Sequence, residues 1–298
     1  MKKIILGMVF LCAAQANFAH ASIKVVTTIG QITDVVKNVG GEHVAVIGLM
    51  GAGVDPHLYK ASESDVRKLA EADIIFYNGL YLEAKMEDIF KQMLRNKVTA
   101  AVGEPIEKNR LLDSVSYAGH HDPHIWFDVS LWMQVVQTVT DTLSKFDPVN
   151  AQEYQIRADE YLLELKKLDQ YVEGRASELE KEERVLVTAH DAFRYFGRRY
   201  DFEVIGLQGL STESEAGAKD VMGLADLIAQ RKIRAIFVES SVPERNIKAV
   251  QQAVKARGWN VEIGGELFSD AMGDAGTFEG TYIGMVTHNI DTIVDALK

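Results

Sequence analysis

The chain has 298 residues, 47% hydrophobic and 25% charged, with 23 Gly and only 5 Pro, a composition that excludes collagen-like, low-complexity and polytopic membrane proteins. The length admits one large or two medium domains, each able to bury its own core, and two fit better. Acidic residues outnumber basic ones, 43 to 32, without a basic cluster, which argues against nucleic acid as a partner.

Met1-Lys2-Lys3, the apolar run over 4–14 and the small residues of Ala19-His20-Ala21 read as a cleaved secretory signal peptide over 1–21. The apolar run is well short of the roughly 20 residues that span a bilayer, so a transmembrane anchor is the weaker reading. A lipid anchor at Cys12 is also weak, because bulky Phe10 and Leu11 stand where a lipoprotein signal has small residues. Cleavage removes the chain's one cysteine, so the mature protein has neither a disulfide nor a thiolate ligand. The expected product is soluble and periplasmic, meeting the membrane only through a partner.

Strand 23–29, helix 33–39, strand 44–50, an acid-capped helix 62–72, strand 74–77 and a helix over 82–95 alternate as a parallel sheet with helical cover requires. An apolar helix over 125–139 follows. Asp147-Pro148 then reads as a helix cap with Pro at the first helical position, and no breaker intervenes until Gly174. The resulting helix over 148–173 is about 39 Å long at ~1.5 Å per residue. Tyr154, Ala158, Tyr161, Leu165, Leu168 and Val172 form one stripe along it. A coiled-coil dimer competes, but the pattern covers barely four heptads between two α/β halves, so a stiff connection in a monomer is preferred. Strands over 185–188, 204–207, 235–239 and 261–264 repeat the alternation, and a last helix runs over 282–297. The expected fold is α/β, two lobes, each a mostly parallel sheet covered by helices, joined by one long rigid helix. Residues 22–146 and 184–298 are the lobes and 147–183 the link.

Of eight histidines, two recur in one tripeptide, Asp55-Pro56-His57 and Asp122-Pro123-His124. Proline fixes its own φ and restricts the residue before it, so each imidazole is presented from a stiff turn. One copy reads as an ordinary turn; two copies in a chain with five prolines do not. His57 lies beyond the carboxyl end of the 44–50 strand, where open α/β sheets bind ligands. His190 follows the 185–188 strand with only Ala189 between, and Asp270 lies beyond the 261–264 strand. Three imidazoles and a carboxylate, two from each half, make a plausible shell for zinc, manganese or iron(II) in the cleft between the halves. Gly51 and Gly53 lack a Walker lysine and carry no phosphate-loop reading. His120 and His121 read as a solvated pair, His43 and His288 as structural, and Trp126, Phe127 and Trp132 as core. Asp191 and residues 209–215 are candidates for orienting the imidazoles, with ordinary capping the equal alternative.

Gly-Leu-Met-Gly-Ala-Gly-Val-Asp-Pro-His-Leu-Tyr at 48–59, Asp-Pro-His-Ile-Trp-Phe-Asp at 122–128, Val-Thr-Ala-His-Asp-Ala-Phe at 187–193 and Gly-Gly-Glu-Leu-Phe-Ser-Asp-Ala-Met-Gly at 264–273 resemble the zinc and manganese receptors of bacterial metal-uptake ABC transporters, TroA-type receptors above all. The resemblance covers essentially the whole mature chain. It implies one buried metal held by His57, His124, His190 and Asp270, and delivery of the ion to an inner-membrane permease driven by an ATPase. Two departures bear on the cargo. The long His-rich loop of the zinc branch is absent before the second ligand, whereas the manganese branch commonly has Glu where this chain has His190. A His-rich site favours zinc by the Irving–Williams order, while a carboxylate chelating through both oxygens suits manganese; the balance tips slightly to manganese, with zinc close behind. A secreted zinc-dependent hydrolase is the rival enzymatic reading, but there is no His-Glu-x-x-His helix, and four protein ligands nearly fill a tetrahedral shell. A surface adhesin is the rival structural reading, without a repeat array to support it. The protein is expected not to be an enzyme, to weaken its metal binding as histidines take up protons near their reference pKa of ~6.5, and to close by a small motion.

Overall fold

The computed structural model describes residues 22–115 and 117–298; the signal-peptide reading lies outside them. In the first half, β1 (Ile23–Thr27), α1 (Gly30–Gly40), β2 (Val44–Gly48), α2 (Glu63–Glu71), β3 (Ile74–Tyr77), α3 (Glu87–Met93) and β4 (Val98–Ala101) form a four-stranded parallel sheet in the order β2-β1-β3-β4 with its helices. The helix α4 (Val129–Phe146) closes this half, and α5 (Ala151–Ala176) leaves it. In the second half, β5 (Val185–His190), α6 (Arg194–Tyr200), β6 (Glu203–Gln208), α7 (Ala218–Arg231), β7 (Ala235–Glu239), α8 (Arg245–Lys255), β8 (Glu262–Leu267) and α9 (Tyr282–Leu297) follow. Its strands form two parallel pairs, β5 with β6 and β7 with β8, with β5 beside β7.

Four details depart from expectation. The segment 82–95 is not one helix: Leu80 and Tyr81 take φ of 53° and 70°, a single 3₁₀ turn follows at Ala84–Met86, and α3 begins only at Glu87. The β4 strand was not anticipated. The helix expected from 125 starts at Val129, where the Asp128 side chain accepts the Ser130 and Leu131 N–H groups as an N-cap; Ile125–Phe127 is a 3₁₀ turn. Asp147-Pro148 does not open the long helix. Asp147 ends α4, its carboxylate accepts the Asn150 amide and the Tyr154 hydroxyl, and α5 begins at Ala151.

The expected stripe on α5 is buried in full, Tyr154, Ala158, Tyr161, Leu165, Leu168 and Val172, with Ala176 continuing it. This face packs on α1 and α4 of the first half and on α9 and α6 of the second, so the partners a coiled coil would need are supplied within the chain. Polar ties flank the stripe. Tyr161 donates to Asp34 of α1 at 2.8 Å, Arg175 binds Asp291 of α9 at 2.8 Å, and Asp169 accepts Tyr200 of α6 at 2.9 Å. One apolar core runs from β1 and α1 through α4 and α5 to α9, and a smaller one lies between the β5–β8 strands and helices α7 and α8. No helix among the described residues is long and apolar enough to cross a membrane.

Candidate metal centre

The site gathers where the strands' carboxyl ends meet between the halves, as open parallel sheets dictate. Beyond β2, Gly53 turns the chain at φ 69°, a left-handed conformation that glycine takes without strain. Asp55 then accepts the His57 N–H through Oδ1 at 2.8 Å, and this Asx turn sets the first imidazole. In the second tripeptide Asp122 Oδ1 accepts the His124 N–H at 3.0 Å and meets its ring Nδ1 at 2.8 Å. The buried Asn78 amide donates to the Pro123 carbonyl at 3.0 Å and fixes the turn from below. His190 is the last residue of β5. Its N–H donates to Glu239 Oε1 at 2.9 Å and its Nδ1 meets Glu239 Oε2 at 2.5 Å, so the end of β7 orients the end of β5. A side chain on Gly206 of β6 would lie 2.6 Å from the Asp191 nitrogen, so only glycine lets β6 approach this strand end. Asp270 sits three residues past β8, its carbonyl accepting Gln31 Nε2 at 3.2 Å, while Trp126 Nε1 donates to the neighbouring Ser269 carbonyl at 3.0 Å.

His57, His124, His190 and Asp270 are all buried, and one ligating atom of each lies within 4.8 Å of the others. The Nε2 atoms of His57 and His124 are 3.3 Å apart. Asp270 Oδ1 is 3.4 Å from His124 Nε2, and Oδ2 is 3.3 Å from His190 Nε2 and 3.7 Å from His57 Nε2. Edges of ~3.3 Å belong to a tetrahedron with arms of ~2.05 Å, so the cluster has the size that a small divalent cation needs. Asp270 Oδ1, Oδ2 and His190 Nε2 have no hydrogen-bond partner despite being buried. His57 Nε2 and His124 Nε2 face each other, while neither Asp270 oxygen meets an imidazole in a hydrogen bond even at 3.3–3.4 Å. Buried polar atoms in this state are costly unless a ligand satisfies them.

The electrostatics separate the three imidazoles. Burial, reinforced by the neighbouring His124 and His190, pushes His57 down to about 3, so it is neutral. Burial alone would depress the other two as well. For His124 it is outweighed by Asp122 and Asp270, which hold the ring up at about 9; for His190, Glu239 and Asp270 outweigh it and raise the ring well above its ordinary range. Asp270 is likewise opposed by burial, yet the three imidazoles keep its carboxyl well below the usual carboxylate range. Nδ1 of His124 and of His190 is engaged by a carboxylate, which leaves Nε2 to lose a proton and present a lone pair to a cation.

The structure brings all four sequence-predicted residues together. Asp191 does not orient an imidazole: its N–H donates to the Gly209 carbonyl and its carboxylate faces Arg194 at 3.7 Å. The orienting carboxylates are Asp122 and Glu239. Sequence reading missed Glu239, although a charge closing the otherwise apolar Ala235–Glu239 strand was a signal that it needed a buried partner. The 209–215 segment bonds Asp55 through Thr212 and not an imidazole directly. His120 is exposed and His121 partly so, beside the mouth that reaches His57; His43 pairs with Glu153 at 2.6 Å, and His288 faces the Glu266 carbonyl at 3.0 Å. Trp126, Phe127 and Trp132 are core, as expected.

Two α/β halves spanned by a long helix, with a buried cation-sized cage at the strand ends between them, define the class of solute-binding receptors. The chain belongs to the ZnuA family, zinc-uptake complex component A, periplasmic, whose model matches residues 25–296. This is a family of ABC-transporter receptors rather than enzymes. The zinc-binding protein TroA of Treponema pallidum is 55% identical over 92% of this chain and 88% of its own length. The manganese-binding lipoprotein MntA of Bacillus subtilis is 49% identical over 94% of this chain and 91% of its own. The solved structure of the Treponema pallidum periplasmic zinc-binding protein TroA superposes with a TM-score of 0.91, covering 93% of this chain and 99% of that one.

Proposed function

We propose that this chain is a periplasmic receptor that captures one manganese or zinc ion between lobes 22–146 and 184–298, linked by 147–183, and delivers it to an inner-membrane permease driven by an ATPase. In this reading His57, His124, His190 and Asp270 are the ligands, and the 1–21 segment exports the chain. The observation that carries it is the convergence of three imidazole nitrogens and a carboxylate oxygen, all buried, within 4.8 Å of one another. Because Asp270 Oδ1 faces His124 while Oδ2 faces His190 and His57, both oxygens are available. Chelation through both would make five donors and suit manganese better than a four-coordinate zinc site. Capture replaces protons: the ion enters as His124 and His190 lose theirs, and closure removes it from water. The test is growth in chelator-depleted medium of a strain lacking the receptor. The wild-type chain restores growth and metal uptake, and Asp270→Ala does not; restoration by both would defeat the proposal.

A further inference from the structure

The 209–215 segment is tied to its own half at both ends. The Asp191 N–H donates to the Gly209 carbonyl at 3.2 Å, Gln208 Nε2 donates to the Ser214 carbonyl at 3.3 Å, and Arg245 binds Glu215. Its middle crosses to the other half. Thr212, only 8% exposed, donates its hydroxyl to Asp55 Oδ2 at 2.5 Å, and Glu213 lies 3.1 Å from Lys85 and accepts the Tyr117 hydroxyl at 3.4 Å. Asp55 is thereby divided between the halves: one oxygen accepts Thr212, while the other accepts the N–H groups of His57 at 2.8 Å and Leu58 at 3.4 Å. The mouth that reaches His57 is lined by this same segment, through Leu210, Ser211 and Glu213, opposite Tyr81 and Tyr117.

We infer that Thr212 is a positioning residue for metal retention: its hydroxyl, acting through Asp55, clasps the 209–215 segment over the mouth and holds His57 in its ligating turn, so that breaking this one bond speeds release of the ion without removing a ligand. The inference rests on the metal-site reading above. A tie to a carboxylate that is lost on opening favours the closed, ligating arrangement over the open one, and because opening precedes release, its loss is read in the dissociation rate.

The experiment uses the full mature chain loaded with manganese or with zinc and mixed rapidly with excess chelator, for wild type, Thr212→Val and Thr212→Ser. Thr212→Val keeps the shape and loses the hydroxyl; it is expected to release the ion about tenfold faster with little change in the association rate, while Thr212→Ser stays within about twofold of wild type. Thermal melts of the metal-free proteins establish that the variants are folded. Release from Thr212→Val at the wild-type rate overturns the inference. Equal acceleration in Thr212→Ser and Thr212→Val also overturns it, because the missing methyl rather than the hydrogen bond would then be responsible. A wild-type chain that binds neither ion overturns the metal-site reading itself, and is told apart from the other two results before any variant is made.

Discussion

Each raised imidazole in the site has its own carboxylate behind it, Asp122 behind His124 and Glu239 behind His190, and these pairs set both the direction and the basicity of the Nε2 donors. Asp122→Asn and Glu239→Gln are therefore predicted to weaken metal affinity by roughly 10–100-fold without touching a ligand, measurable by competition with a chromophoric chelator. Wild-type affinity in either variant would show that the ligands orient themselves. The same pairs move the pH window. In the metal-free protein His57 is already neutral, while His124 at about 9 and His190 well above its ordinary 6.5 are protonated near neutrality. Metal affinity should thus keep climbing from pH 6.5 to 9 rather than level off above the reference histidine value. The sign is opposite for the stability of the metal-free protein. The His124 contribution is fully present below its ordinary value of 6.5 and is lost as the pH rises through about 9. Melts of the metal-free chain should fall over the interval in which affinity rises, and an affinity flat across it would contradict the assignment. The four converging residues were legible because a repeated Asp-Pro-His and two further strand-end groups stand out in one sequence. Glu239 was not, because its partner His190 is 49 residues away and no local pattern links them.

Among the elements, α5 carries a continuous apolar stripe, although Ile156, Leu162 and Leu163 lie off it among the polar residues. Leu165 and Leu163 sit two residues apart, one fully buried and the other 62% exposed. Leu165→Ala is predicted to cost about 2–5 kcal/mol in chemical denaturation and Leu163→Ala less than about 0.5. Equal losses would mean that the stripe is not what holds the helix between the halves. Its start was illegible because Asp147-Pro148 can close one helix as well as open the next, and here Asp147 does the former while bonding forward to Tyr154. The β4 strand escaped notice because Val98-Thr99-Ala100-Ala101 is short and half alanine, so its place at the sheet edge comes from pairing with β3 rather than from its own propensity. The break in 82–95 depends on positive φ at Leu80 and Tyr81, which no composition signals.

At the scale of the molecule, the halves share a core, and the cage is tied across them by buried bonds to backbone carbonyls. Gln31 reaches the Asp270 carbonyl, Trp126 the Ser269 carbonyl, and Tyr282 the Trp126 carbonyl at 2.7 Å. Wide opening would break these together with the apolar contacts of α5, so the arrangement favours a small motion at the mouth over a hinge through the middle. The two halves together bring His57, His124, His190 and Asp270 to one point. The central claim is that this point holds one metal ion. The measurement is elemental analysis of the protein purified from its native compartment without added metal, beside His190→Ala and Asp270→Ala handled identically. The account predicts one manganese or zinc ion per wild-type chain and none in the variants. Wild-type protein without stoichiometric metal, or variants that keep it, would contradict the claim.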